Sequence, residues 1–238
     1  HSFQLAVKVD APLTVRIKLH TDLTEYIEMF RVVSVPVGTV SYEGCDDDDY
    51  LSKTPGLYPD LLRDYYGEFV ELSEGWNSFW VLAEPKGTMS GNYPIELVVE
   101  DTDGNVLACS TYTLHIVDEE LPGQTLMHTE WLYTDCIAQQ HHTQMFSPRF
   151  WELLESYFRT AVRFGINMVY TPVVTSLLSS KTGLIRPETQ LTEIFVEQGR
   201  YSFDFTRLER FITLAQQCGV RYFEICHLFT QWGAANPA

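Results

Sequence analysis

The first half of the chain alternates short apolar stretches with turn-forming residues. Stretches such as FQLAVKV, LTVRIKLH, SFWVLAEP and YPIELVVED are rich in Val, Leu and Ile and partly alternate apolar with polar positions, which is typical of strands with one buried face. Asp103-Gly104 fits a tight hairpin turn between Val99 and Val106. We therefore predict an antiparallel β-sandwich over residues 1–122. Residues 41–75 interrupt this rhythm, and we predict an irregular excursion there instead of a strand.

The second half alternates strand and helix periodicities. MHTEWLYTD, INMVYTPVV and VRYFEICHLF have the pattern of strands, whereas SPRFWELLESYFRTAVRFG and DFTRLERFITLAQQCG have the period of amphipathic helices. Ser147 suits an N-cap and Pro148 the first helical position, while Gly165 and Gly219 suit the two helix ends. Strand, helix, strand, helix, strand predicts parallel βα units.

The stretch between the second strand and the second helix, GLIRPETQLTEIFVEQGRYSFDF, predicts an inserted β-hairpin with Gly199 in its turn. Three parallel strands cannot cover their own faces. We therefore expect residues 123–238 to be an incomplete (β/α)8 barrel of about three βα units, and the chain to be the front part of a longer protein. An incomplete barrel exposes strand edges, so we expect self-association through those edges.

Charge is distributed unevenly along the chain. Residues 1–122 hold 22 acidic and 7 basic residues of a chain whose net charge is -16. Such an acidic half repels phosphate backbones, which argues against a nucleic-acid partner. No stretch approaches the roughly 20 apolar residues that span a bilayer, so no membrane partner is expected.

The five cysteines are widely spaced and form no CxxC motif, which argues against a disulfide framework or a zinc site. We therefore expect free, mostly buried thiols. Unpaired cysteines and the lack of a visible signal peptide favour a cytoplasmic location. Neither a cofactor nor a metal is predicted, because His128 and the adjacent His141 and His142 make a poor chelate. The acidic run Asp46–Asp49 could bind calcium, but it lacks the spacing of a known calcium loop, and a solvated loop is the simpler interpretation.

Five stretches together resemble one known family. They are TPGLYPDLL, HTEWLYTDCIA, RFWELLESYFRTAVRFGINMVYTP, RPETQLTEIFVEQGRYSFDF and YFEICHLFTQWGA. In these stretches the chain resembles glycoside hydrolase family 123, which comprises the bacterial β-N-acetylgalactosaminidases and their relatives. The resemblance implies a β-sandwich followed by a (β/α)8 barrel, of which this sequence supplies the first three strands.

The resemblance also implies a chemistry. The 2-acetamido oxygen of a β-linked N-acetylhexosaminide attacks the anomeric carbon, one carboxylate orients that acetamido group, and a second carboxylate protonates the leaving oxygen. The family places this Asp-Glu pair on a later barrel strand. Asp118-Glu119 is only a superficial match, since it precedes the first barrel strand. We therefore expect this chain alone to be inactive, with carbohydrate as the partner of the full-length protein.

Supporting sugar contacts are nevertheless expected near the ends of the predicted barrel strands. Glu224 on the third strand could be structural or functional, and the aromatic residues Trp131, Tyr133 and Tyr170 are more often core residues than ligands. The substrate-binding candidates are Asp135, placed at the end of the first strand, Thr171, on the second, and His227, Gln231 and Trp232, after the third.

A carbohydrate-binding or scaffolding sandwich without catalysis is the alternative function. It would need an exposed aromatic strip, and the cluster that could offer one comprises Trp76, Trp80, Tyr65 and Tyr66. GWNSFWV has the pattern of a strand that enters the core, which disfavours this alternative.

Overall fold

The computed structural model describes residues 1–38, 49, 52–85, 90–174 and 187–226. The chain divides into two compact units, His1–Leu121 and Pro122–Ala238. The acidic residues Asp46, Asp47 and Asp48, considered above for calcium, lie outside the described residues.

Strands make up most of the first unit. In its described part they are β1 Ser2–Val9, β2 Leu13–His20, β3 Ile27–Val37, β4 Gly56–Asp64, β5 Val70–Leu72, β6 Gly75–Ala83, β7 Gly91–Glu100 and β8 Val106–Ile116, with a 3-10 turn at Thr24–Tyr26. They form two four-stranded sheets in the orders β1-β6-β3-β4 and β5-β2-β7-β8. Every pairing in both sheets is antiparallel.

The two sheets share one hydrophobic core. Val15 and Ile17 of β2 contribute fully buried side chains from one sheet, and Phe79 and Val81 of β6 contribute them from the other. These residues alternate with more exposed ones along each strand, as expected when one face of each sheet is buried. The predicted β-sandwich is therefore confirmed as the fold of this unit.

Strand β4 contradicts part of the prediction for residues 41–75. Gly56–Asp64 is a strand that pairs with β3, not an irregular excursion. The sequence pattern did not indicate strand β4, because Pro59 cannot donate a hydrogen bond to a β-ladder and because most residues of the strand are exposed. Both features suit this position, since β4 is at the edge of its sheet and a register shift occurs opposite Pro59, between Val33 and Ser34.

The hairpin predicted at Asp103-Gly104 is present between β7 and β8. Gly104 adopts φ +85°, a left-handed conformation that favours glycine. One Asp101 carboxylate oxygen accepts hydrogen bonds from the backbone N–H groups of Asp103 (2.9 Å) and Asn105 (2.8 Å). The Asn105 side chain and these backbone donors hold the pKa of the Asp101 carboxyl below its usual value.

A three-stranded parallel sheet and three helices form the second unit, as far as it is described. The elements are β9 Thr129–Glu130, α1 Thr134–Gln140, α2 Pro148–Arg163, β10 Met168–Thr171, β11 Glu193–Glu197, β12 Arg200–Asp204, α3 Thr206–Cys218 and β13 Tyr222–Ile225. The sheet order is β13-β10-β9, and β10 pairs in parallel with both neighbours. The predicted hairpin is confirmed as β11-β12, with Gly199 at φ +77° in its turn.

The caps of the two long helices agree with the sequence prediction. The Ser147 hydroxyl accepts a hydrogen bond from Phe150 N at 3.2 Å, and Pro148 occupies the first turn of α2. Gly165 and Gly219 adopt φ +90° and +104° just after α2 and α3. Amphipathic faces of both helices then meet, and the Phe158 and Phe211 rings pack edge-to-face with centroids 5.3 Å apart.

The first predicted strand of this unit is much shorter than MHTEWLYTD. Only Thr129–Glu130 pairs as a strand, and helix α1 begins four residues later. Asp135 therefore lies in the first turn of α1 and does not end a strand, which corrects its predicted placement. A helix of two turns leaves little periodicity to recognise, and its buried apolar pair, Ile137 and Ala138, also suits a strand end.

No helix in the described ranges is both long enough and apolar enough to cross a membrane.

Candidate functional site

The register of the parallel sheet places three polar or aromatic residues on one face. Tyr170 of β10 lies opposite Glu224 of β13, and Met168 lies opposite Thr129 of β9. Paired residues of neighbouring strands point to the same side, and side chains two positions apart do so as well. Thr129, Tyr170 and Glu224 therefore share one face of the sheet, which we call the Glu224 face.

The opposite face of the sheet packs against the helices. Val169 of β10 is 1% exposed and belongs to the core that includes Phe158 of α2 and Phe211 of α3. Phe223 of β13 packs against the same core. The helices thus occupy one side of this sheet, and the Glu224 face is the other side.

A carboxylate is fixed on the Glu224 face by two donors. The indole N–H of Trp131, directly after β9, donates to Glu224 Oε2 at 3.0 Å. The Thr129 hydroxyl donates to the same oxygen at 3.3 Å. Both bonds use Oε2, so among the described residues Oε1 of Glu224 accepts no hydrogen bond. A carboxylate held in this way offers an oriented acceptor to a ligand.

Three aromatic rings lie beside this carboxylate. The Trp131 centroid is 5.7 Å from that of Tyr170 and 6.5 Å from that of Tyr133, and the two tyrosine centroids are 6.1 Å apart. Tyr170 is buried at 3% exposure, whereas Trp131 is 37% exposed. The buried tyrosine supports the cluster, and the indole presents part of its surface to solvent.

The Tyr170 phenol is held in its protonated form. Burial, followed by the neighbouring Cys226, Tyr133 and Glu224, raises the pKa of Tyr170 to about 12. Burial disfavours a phenolate because it removes water. The three side chains disfavour it because a phenolate would be repelled by any negative charge that they carry. Tyr170 therefore remains a neutral hydroxyl next to the fixed carboxylate at any physiological pH.

The positions of the predicted substrate-binding residues vary. Asp135 is 2% exposed in the first turn of α1. Thr171 is the last residue of β10. It is fully buried, its hydroxyl donates to Val169 O at 3.2 Å, and alternation turns it away from Tyr170. His227, Gln231 and Trp232 lie outside the described residues. A sugar-binding role for these five residues stays a prediction.

From the sequence alone, Glu224 could be structural or functional, and Trp131, Tyr133 and Tyr170 were predicted to be core residues. The predicted strands gave no signal for them, since Trp131, Tyr170 and Glu224 are in the middle of MHTEWLYTD, INMVYTPVV and VRYFEICHLF. The register that brings them together depends on how the strands pair. A sequence read alone does not fix that pairing.

The other candidates considered above are dispersed. His141 Nε2 lies 3.1 Å from the Tyr157 hydroxyl, and His128 lies 3.5 Å from Glu130. Among the described residues no three His, Cys, Asp or Glu side chains are grouped as a metal site would need. The aromatic cluster of the sandwich is divided, since Tyr65 is 4% exposed in the core and Trp76 is 73% exposed.

The cysteines are only partly as expected. Cys218 and Cys226 are buried, whereas Cys109 and Cys136 are exposed, and all four are free. Cys45 lies outside the described residues. The expectation of mostly buried thiols is therefore wrong for two of the four described cysteines.

Comparisons with known proteins agree on one family. Residues 131–238 match the family model described as the catalytic domain of glycoside hydrolase 123. A similar solved structure, with a TM-score of 0.71 and 12% identity, is a family 123 glycoside hydrolase from Clostridium perfringens, analysed for the details of glycolipid glycan hydrolysis. The similarity covers 92% of this chain and 40% of that chain, and at this identity it shows the fold. No curated protein matches the sequence. Over residues 131–238, the chain is thus similar to the catalytic domain of glycoside hydrolase family 123.

Proposed function

We propose that this chain is part of a glycoside hydrolase that acts on a β-linked N-acetylhexosaminide, and that the Glu224 face forms one wall of its sugar site. The observation that carries the proposal is the carboxylate of Glu224, fixed through Oε2 by Trp131 and Thr129 beside a partly exposed indole. The similarity of residues 131–238 to a glycoside hydrolase catalytic domain suggests the class of ligand, and the Glu224 face supplies groups that suit it.

A sugar ring needs two kinds of contact. Its hydroxyls need oriented hydrogen-bond partners, and its apolar face needs an aromatic surface. Glu224 Oε1 can accept a bond from a hydroxyl, and the exposed part of the Trp131 ring can lie against the C–H groups of the pyranose. The Tyr170 hydroxyl stays protonated because its pKa is about 12, so it remains a neutral group beside Glu224.

The proposed site also suits the beginning of a (β/α)8 barrel. Such barrels carry helices outside and place their chemistry at the carboxyl ends of the strands. Tyr170 and Glu224 are each the third residue of a four-residue strand, and Trp131 directly follows β9. The Glu224 face is then the inner side of the barrel, since the helices pack on the other side.

Hydrolysis needs two carboxylates in the roles described above, in addition to the Glu224 face. In the 238 residues of this sequence the Asp-Glu dipeptide occurs only at Asp118-Glu119, which is exposed and precedes β9. We therefore propose that the given chain binds the sugar without cleaving it. An aryl β-N-acetylgalactosaminide incubated with the chain should release no phenol above the buffer rate.

Calorimetric titration with methyl N-acetyl-β-galactosaminide tests the proposal. We expect saturable binding that Trp131→Ala and Glu224→Gln each weaken about tenfold, which corresponds to about 1.4 kcal/mol. Trp76→Ala is the matched control, because it removes an even more exposed indole from the first unit.

Unchanged affinity in both Trp131→Ala and Glu224→Gln would overturn the proposal. Loss of binding in Trp76→Ala alone would instead support the alternative, a sandwich that binds carbohydrate. Phenol release from the aryl substrate that Glu224→Gln abolishes would contradict the proposal that this chain does not cleave the sugar.

A further inference from the structure

A cavity in the same unit lies away from the Glu224 face, between α1 and α3. It has a volume of about 670 Å³, which is within the range of small-molecule sites. The end of α1, the loop that follows it, residues 187–188 and the first turn of α3 form its walls. The lining residues that matter here are Gln139, His142, Gln144, Phe146, Glu188 and Arg207.

Arg207 is fixed at the edge of this cavity by two contacts. Its Nη2 lies 2.5 Å from Glu193 Oε1, and its guanidinium carbon is 4.4 Å from the centroid of the Phe146 ring. A guanidinium carries five N–H donors in one plane, more than one carboxylate can accept. Donors therefore remain for the oxygen atoms of a ligand, and the guanidinium does not have to be ordered when that ligand binds.

The loop that closes the cavity adopts an uncommon conformation. His142 and Phe146 have φ +49° and +61°, in the left-handed region that residues with a Cβ rarely occupy. Surrounding contacts hold them there, since Thr143 N donates to Ala138 O at 2.9 Å and Trp151 Nε1 donates to Phe146 O at 3.0 Å. A conformation maintained in this way keeps the shape of the cavity fixed.

The charges around the cavity select the kind of ligand. Among its described lining residues Arg207 is the only permanent cation, and it faces two carboxylates, Glu188 of the lining and its own partner Glu193. Among these three described groups the balance is negative, which disfavours an anionic ligand. The amides of Gln139 and Gln144 each offer a donor and an acceptor, which matches hydroxyl groups.

We propose that this cavity is a second carbohydrate site, which binds a neutral sugar unit and discriminates against acidic sugars. The choice of a sugar among neutral polar ligands rests on the proposed function, whereas the cavity itself does not. Gln139 and Gln144 recognise the hydroxyls, and Arg207 donates to a ring or hydroxyl oxygen.

Saturation-transfer NMR on the Trp131→Ala chain tests this proposal without interference from the Glu224 face. The probes are methyl N-acetyl-β-galactosaminide and the anionic methyl β-glucuronide. We expect the neutral glycoside to keep its signal in Trp131→Ala and to lose affinity at least fivefold when Gln139→Ala and Gln144→Ala are added. Gln216→Ala, an exposed amide on α3 that does not line the cavity, is the control and should change nothing.

The results separate this proposal from the previous one. In one outcome, the neutral sugar binds Trp131→Ala as tightly as the wild type, and binding disappears when the two glutamine substitutions are added. This outcome would support the cavity and overturn the Glu224 face as the sugar site. Absence of binding in Trp131→Ala, or binding that the glutamine variants leave intact, would overturn the cavity. A glucuronide that binds as tightly as the neutral glycoside would overturn the assignment of ligand class.

Discussion

Trp131 and Glu224 are 93 residues apart in the sequence, yet the indole N–H of Trp131 donates a 3.0 Å hydrogen bond to the Glu224 carboxylate. The two residues belong to opposite edges of the three-stranded sheet, Trp131 after β9 and Glu224 on β13. Their bond therefore spans the central strand, where Tyr170 packs beside the indole. One side chain thus contributes both the ring surface and the donor that orients the carboxylate.

Trp131→Phe separates these two contributions. Phenylalanine keeps an aromatic surface but removes the donor to Glu224, leaving Thr129 as the donor to Oε2. We expect an affinity for methyl N-acetyl-β-galactosaminide between those of the wild type and Trp131→Ala, measured by calorimetry. Equal affinities of Trp131→Phe and wild type would show that the hydrogen bond does not position the carboxylate for binding.

The high pKa of Tyr170 predicts how stability depends on alkaline pH. The folded chain keeps the phenol proton up to about pH 12, whereas an unfolded tyrosine loses it near the ordinary tyrosine pKa of 10.0. The folded state therefore binds more protons between these values, and the contribution of Tyr170 is fully present below pH 10 and is lost as the pH rises towards 12. By linkage this contribution is about 2–3 kcal/mol.

Urea unfolding at pH 9 and pH 11 measures this effect. Tyr170→Phe is the control, because it has no phenol to ionise and removes only that one titration. We expect the free energy of unfolding to fall more steeply with pH in the wild type than in Tyr170→Phe. Parallel pH dependences would contradict the raised pKa.

The cysteines should differ in reactivity as their surroundings differ. Cys109 is exposed, but its thiol donates to Glu96 at 3.2 Å, and this bond raises its pKa. Burial raises the pKa of Cys218. Because the thiolate is the reactive form, iodoacetamide at pH 8 should modify exposed Cys136 first, Cys109 more slowly, and buried Cys218 and Cys226 only on unfolding.

Peptide mass spectrometry over time gives the rate at each cysteine. Glu96→Gln is the informative variant, since it removes the acceptor charge beside Cys109 and should accelerate labelling there alone. Equal rates at Cys109 and Cys136 in the wild type would contradict the influence of Glu96.

Gly219 should tolerate no side chain. It ends α3 with φ +104°, and a Cβ placed there would lie 3.0 Å from Val162 Cγ1 of α2. We expect Gly219→Ala to lower the free energy of unfolding by about 2 kcal/mol, part from the left-handed backbone and part from the contact with Val162.

Gly199→Ala separates these two causes. Gly199 also has a positive φ, +77°, but a Cβ there would have no atom within 4 Å. Its loss of stability, read from the shift in the urea midpoint at constant slope, should be smaller than that of Gly219→Ala. Equal losses would show that contact with Val162 costs nothing.

Local chemistry made much of the fold predictable from the sequence. The caps at Ser147 and Gly219 and the hairpin turns at Gly104 and Gly199 depend on neighbouring residues, so the sequence pattern was sufficient to predict them. Helix α1 and strand β4 were missed. The first has only two turns, and the second is an exposed edge strand that contains Pro59, so neither has a clear period of buried residues.

The candidate site was less predictable than the fold. Thr171 was predicted on the second strand and is the last residue of β10, but its side chain is buried on the helix side. Glu224 and Trp131 become neighbours only through the register of three strands that are far apart in sequence. Non-local pairing of this kind is not encoded in any short stretch. For this reason the sequence predicted Trp131, Tyr133 and Tyr170 to be core residues.

The most direct test of the Glu224 face as a sugar site is a crystal structure of the chain soaked with methyl N-acetyl-β-galactosaminide. We predict that the sugar ring lies against the indole of Trp131, with one of its hydroxyls in hydrogen-bond contact with Oε1 of Glu224. A sugar bound on the first unit, or a Glu224 face that remains empty while the sugar occupies another position, would contradict this assignment.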